Sequence, residues 1–82
     1  NMAGTVHAWA TPNNIVIEHG LNNQNPLRIE LLDATGRLHL QRQVAATPGR
    51  IQIPSDGLAT GIWFVRVSNG DTLRTVRMPV VR

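Results

Sequence analysis

Gly57-Leu58-Ala59-Thr60-Gly61-Ile62-Trp63-Phe64-Val65-Arg66-Val67 is the stretch on which the reading of this chain depends. Gly61 ends a turn and starts a run in which Trp63, Val65 and Val67 alternate with Phe64, Arg66 and Ser68. That period of two places successive side chains on opposite faces of a sheet. Trp63 shares a face with the two valines and is predicted to anchor a core that has little other aromatic bulk. Upstream, Leu31-Leu32-Asp33-Ala34-Thr35-Gly36-Arg37 carries an apolar strand into a four-residue turn, with Asp at its opening corner and Gly at its closing corner as a type I turn prefers. Outward from these two blocks the alternation repeats. Leu27, Ile29 and Leu31 stand against Arg28 and Glu30, and Leu38 and Leu40 against Arg37, His39 and Gln41. Ile51 and Ile53 stand against Arg50 and Gln52, and Val76, Met78 and Val80 against Arg77. Breakers bound every run: Asn22 to Pro26, Asp33 to Gly36, Thr47 to Gly49, Pro54 to Gly57 and Asn69 to Asp71. Asn69-Gly70 reads as a hairpin corner of type I′, with positive φ at both residues. With Thr5 to Trp9 and Ile15 to Glu18 added, the prediction is an immunoglobulin-like antiparallel β-sandwich of about seven strands. Asn1 to Gly4 read as the end of a linker, and residues 5–82 as one domain.

Composition sets the scale. A chain of 82 residues buries only roughly 60 to 65 per cent of its unfolded surface, so its stability is predicted to be modest. It has no cysteine, which removes disulfides and thiolate metal sites as supplements to the core. No apolar run approaches the roughly 18 residues of a spanning helix, and no cleavable signal opens the chain. Its first residue is Asn rather than Met, as expected of a piece of a longer protein. The net charge is +3 and all eight Lys and Arg positions are arginine. Arginine favours bidentate contact with carboxylates and phosphates, which admits an anionic partner. Spread one or two to a strand, these arginines read first as solvent-facing positions.

The last run adds a different signal. Leu73 to Arg82 follows a tight hairpin and ends the sequence, and Pro79 within it lacks the N–H that a central strand would need. It is therefore predicted to be an edge strand, whose unpaired backbone groups a partner could reach.

The two blocks and this final run, together with the opening Thr11-Pro12-Asn13-Asn14-Ile15-Val16-Ile17-Glu18 and the close Arg74-Thr75-Val76-Arg77-Met78-Pro79-Val80-Val81-Arg82, resemble the type A C-terminal sorting domain of the type IX (Por) secretion system of Bacteroidetes. The chain departs from the family pattern at Asn14, where Pro is usual, and at Trp63, where Tyr is usual. Arg74, Arg77 and Arg82 stand where lysines are common. The resemblance makes Asp33, Gly36, Arg37, Gly61 and Trp63 the structural motif. It places recognition on Arg74, Val76, Arg77, Met78, Val80 and Arg82. It also implies a function: an export signal at the end of a larger protein, recognised by the outer-membrane translocon, a shuttle protein and a sortase. The covalently linked N-terminal cargo would be carried through the periplasm to the cell surface or the extracellular space. In most members the sortase cuts between cargo and domain, near or before Asn1 here, and attaches the cargo to anionic lipopolysaccharide; in some the domain is retained. A second copy of the chain is a further partner to consider.

Other chemistries fit poorly. His7, His19 and His39 form no close pair of the kind a zinc site uses and read as exposed or half-buried strand and turn residues. Ser55 and Asp56 lie in Pro54-Ser55-Asp56-Gly57, a turn sequence with no nucleophile elbow around it. The five acids Glu18, Glu30, Asp33, Asp56 and Asp71 show neither a catalytic pair nor a calcium loop. No cofactor is expected, and the chain does not read as an enzyme. A nucleic-acid surface would interleave aromatics with basic residues, and here only Trp9, Trp63 and Phe64 are available. The rival reading is a non-catalytic accessory β-sandwich of a secreted surface protein, which packs on its enzyme or binds glycan through clustered exposed aromatics. Trp9 and Phe64 are the candidates for such exposure.

Overall fold

A computed structural model describes residues 6–20, 25–45, 49–55, 57–70 and 72–81. The expected linker end at Asn1 to Gly4, and Arg82, Asp56 and Asp71, lie outside the described residues, as does most of the Asn22 to Pro26 and Thr47 to Gly49 breakers. Seven strands follow in chain order: β1 (Val6–Ala10), β2 (Asn14–His19), β3 (Leu27–Leu32), β4 (Leu38–Val44), β5 (Gly49–Pro54), β6 (Gly61–Asn69) and β7 (Thr72–Val80). They form a three-stranded sheet of order β1-β2-β5 and a four-stranded sheet of order β4-β3-β6-β7, antiparallel throughout. This is the all-β sandwich expected from the alternation.

The core lies between the sheets. Ile15 and Ile17 of β2 and Ile53 of β5 supply one side, and Leu27, Ile29 and Leu31 of β3 with Trp63, Val65 and Val67 of β6 and Met78 and Val80 of β7 supply the other. Each contributes through the period-two pattern, and burial of side chains this size stabilises by about 1.5 to 3 kcal/mol apiece. Val6, Ala8 and Ala10 of β1 close one flank. There β1 approaches β7 of the other sheet without pairing with it.

Three expectations change. Leu38 and Leu40 do not share a face. The β3–β4 ladder pairs Leu31 with Leu40 but Leu32 with Leu38, so His39 is an inserted residue, a β-bulge. The bulge reverses the alternation; Leu40 packs against the core while Leu38 is 45% exposed. The β6–β7 corner lies one residue later than expected. Asn69 pairs with Thr72 and remains in β6, and Gly70, at φ +61, opens the corner. Asn69 is buried, and its side-chain amide donates to the Asn25 carbonyl at 2.8 Å, which holds it in the strand. Finally, His19 is buried rather than exposed or half-buried, because it continues the inward series Ile15, Ile17 along β2.

Candidate functional site

The two sequence blocks meet at one end of the sandwich. After β3 the chain reverses through Asp33 to Arg37. The Gly36 N–H donates to the Asp33 carbonyl at 2.9 Å, and the Asp33 N–H donates to the Arg37 carbonyl at 3.0 Å. Gly36 has φ +88, a left-handed conformation that costs an L-residue roughly 1 to 2 kcal/mol. The Asp33 carboxylate fastens the turn from within. Its Oδ1 accepts from the Thr35 N–H at 2.9 Å, from the Thr35 hydroxyl and from the Arg37 N–H at 3.0 Å. Arg37 thus serves through its backbone, and its side chain is exposed.

His39, displaced by the bulge, connects this turn to the second block. Its Nε2–H donates to Asp33 Oδ2 at 2.8 Å, and its ring meets the Trp63 indole edge-on, with centroids 4.8 Å apart and planes at 80°. Trp63 in turn donates from Nε1 to the Ala59 carbonyl at 2.9 Å. Asp33, His39, Trp63 and Ala59 therefore form a continuous chain of contacts between blocks far apart in sequence. A shallow groove of about 360 Å³ lies over them and reaches Gly61 and Ile62. The hydrogen bonds from Thr35, His39 and the Arg37 N–H hold the Asp33 carboxyl well below the usual carboxylate range. Sequence reading singled out Asp33, Gly36, Arg37, Gly61 and Trp63 but missed His39; the bulge that recruits it leaves no mark in the alternation of hydrophobic residues.

At the other candidate region, β7 occupies the edge of the four-stranded sheet. Its residues divide by face. Met78 and Val80 are buried in the core and Val76 is half-buried, so these side chains are closed to a partner of the folded domain. Arg77 and Arg74 are exposed. Pro79 stands opposite Ile62 in a strand with a single neighbour, where a missing N–H is tolerated.

The three aromatics lie apart. Trp63 is in the core, and Phe64 is half-buried on the outer face of the four-stranded sheet. Trp9 is 37% exposed on the outer face of the other sheet. The Arg50 guanidinium lies 5.6 Å from its ring centroid and is held by Glu18 at 2.9 Å.

A family model described as the secretion system C-terminal sorting domain matches residues 11–82. The chain belongs to that family. Both blocks, the turn of Asp33, the Trp63 strand and β7 fall within the match, while β1 precedes it. No curated protein and no solved structure matches the chain. The domain is thus a C-terminal sorting signal for type IX secretion, a class of domain that accompanies cargo across the outer membrane toward the cell surface or the extracellular space.

Proposed function

We propose that this sorting domain is read by the outer-membrane translocon, shuttle protein and sortase through the edge of β7. The observation that carries the reading is the position of β7, which pairs with β6 alone and presents Arg74 and Arg77 to solvent. An edge strand offers backbone N–H and C=O groups to an added strand, and flanking arginines offer charge-assisted hydrogen bonds to acidic groups on a partner. With Val76, Met78 and Val80 turned inward, they act by holding β7 in place, and the partner meets backbone and guanidinium groups. Arg82, outside the described residues, belongs to the same proposal. The domain works without catalysis, as an address attached to its cargo, and attachment of that cargo to anionic lipopolysaccharide is a later step of the machinery. The dispersal of Trp9, Trp63 and Phe64 weighs against the glycan-binding alternative, which needs aromatics gathered on one surface.

The test is export of a reporter fused ahead of residues 1–82 in a type IX-competent Bacteroidetes strain, compared with a strain lacking the system. The charge reversals Arg74→Glu and Arg77→Glu are expected to leave the melting temperature unchanged and to lower export. Undiminished export with normal folding would remove the arginines from recognition and leave only backbone and shape.

A further inference from the structure

Beyond sorting, the outer face of the four-stranded sheet carries a charged pattern that the edge of β7 does not account for. The ladder registers place Arg28 opposite Ser68, Arg66 opposite Glu30 and Thr75, and Arg77 opposite Phe64. Arg28 on β3 and Arg66 on β6 are therefore diagonal neighbours, and so are Arg66 and Arg77 on β7. Three arginines cross the face in one oblique line, at the roughly 7 to 8 Å spacing of diagonal cross-strand pairs.

Glu30 is the one acid on this face among the described residues of β3, β4, β6 and β7. It accepts from Arg66 Nε at 2.8 Å, and this bond, with the nearby positive charge of Arg66 and Arg28, holds its carboxyl below the ordinary range. Arg66 gives Glu30 one of five N–H donors and keeps the others for a ligand.

The line also joins two depressions. Arg28 lines one of about 320 Å³ with Gln43, Ser68 and Gly70, and Arg66 lines another of about 340 Å³ with Leu32, Phe64, Thr75 and Asp33, whose carboxylate is engaged by Thr35, His39 and the Arg37 N–H. The line thus sets three guanidiniums against the single carboxylate of Glu30, a net positive strip that attracts anions.

The geometry points to an extended phosphate-bearing polymer, such as a phosphorylated glycan chain, lying obliquely across Arg28, Arg66 and Arg77. Arginine's planar fork suits phosphate oxygens bidentately. The middle of a sheet face offers side chains only, with the backbone already paired, so the ligand must be held by charge rather than by strand addition. Arg77 is common to this line and to the edge of β7, but binding by charge alone differs from strand addition and favours a polyanion over an acidic peptide.

Short linear inorganic polyphosphate is the probe, its binding to the 82-residue chain followed by fluorescence anisotropy at several salt concentrations. Binding is expected, with an affinity that falls log-linearly with salt. Arg28→Gln and Arg77→Gln are each expected to weaken it about tenfold, the loss of one charged hydrogen-bonding group, and Glu30→Gln to strengthen it by releasing Arg66. Arg42→Gln on β4 and Arg50→Gln on the other sheet are expected to leave it unchanged, and melting curves will show that these surface variants remain folded. Four results would overturn the proposal: absence of binding, equal losses at Arg42 or Arg50, preference for poly-glutamate, or binding confined to vesicles of anionic phospholipid. Because Arg28 lies on β3, outside the β7 surface proposed for recognition, its variant also separates this site from recognition by the export machinery.

Discussion

Strands β6 and β7 are nine residues each and pair along their whole length, from Gly61 with Val80 to Asn69 with Thr72. Their fates differ. Every inward residue of β6 from Trp63 to Asn69 is buried. Their partners on β7 are less covered: Met78 is fully buried, Val76 and Thr72 are half-buried and Arg74, opposite Val67, is exposed. The ladder is the same for both strands, and the difference lies in their neighbours. β6 has β3 and β7 on either side and the second sheet across the core, while β7 has β6 alone within its sheet. A shared face therefore yields a buried residue only where a third element covers it. The part of β7 without such cover stays open to solvent.

The largest test of this contrast is Trp63→Ala. It removes the largest core side chain together with its contact to His39 and its hydrogen bond to Ala59, and should cost about 3 to 5 kcal/mol. Against a total of about 5 to 15 kcal/mol for a small domain, urea denaturation should show a large fall in midpoint. An unchanged midpoint would contradict the central role of β6.

Met78→Ala, directly across the ladder from Trp63, is expected to cost less, toward the lower end of about 2 to 5 kcal/mol, because an edge strand can settle into the space. The two losses should not add. Residues in contact typically couple by about 0.5 to 3 kcal/mol, which a double-mutant cycle on the same denaturation assay would measure. Strict additivity would mean that the buried end of β7 is independent of the β6 core.

Gly36→Val tests the turn that locks the first block against β6. The space around Gly36 is open, so the cost comes from φ +88 alone, roughly 1 to 2 kcal/mol. A variant as stable as the parent would show that the turn relaxes freely and that Asp33 does not enforce it.

The same turn sets a pH dependence. The Asp33 carboxyl lies below its unfolded value, held there first by the Thr35 hydroxyl, then by His39 and the Arg37 N–H. Its contribution is therefore complete above about pH 4, where an unfolded Asp is ionised, and is lost as pH falls through the folded value. Urea midpoints should decline on acidification below about pH 4, and Asp33→Asn should flatten that decline. Parallel profiles for the two proteins would assign the acid sensitivity to other groups.

The contrast also explains what could be read from the amino acids. Leu27, Ile29, Leu31, Trp63, Val65 and Val67 announce their burial through alternation alone, because their strands are covered and the pattern has no competitor. Asp33 and Gly36 announce their turn through conformational demands that few other residues meet. Leu38, His39 and Asn69 do not announce their positions. A bulge and a corner shifted by one residue are decided by tertiary partners, Asp33 and Trp63 for His39 and the Asn25 carbonyl for Asn69. The arginine line was hidden for a related reason. Arg28, Arg66 and Arg77 look dispersed along the chain and become neighbours only when the register of three strands is known.

The smallest expected effect is at Arg74, where the contrast between the strands is sharpest. By register it belongs to the core face, opposite the fully buried Val67, yet it is exposed and its Nη1 donates to the adjacent Leu73 carbonyl at 3.0 Å. If lack of cover explains the exposure, Arg74→Glu removes little packing, and the change in stability should stay within about 0.5 kcal/mol, as for surface positions generally. Leu in place of Arg74 should be equally neutral, because an apolar side chain there gains no buried surroundings. A stabilisation by Arg74→Leu comparable to burying a leucine, about 1.5 to 3 kcal/mol, would show that the second sheet reaches over this position. The start of β7 would then be part of the core, and the surface proposed for recognition would contract to Arg77 and the edge backbone near it.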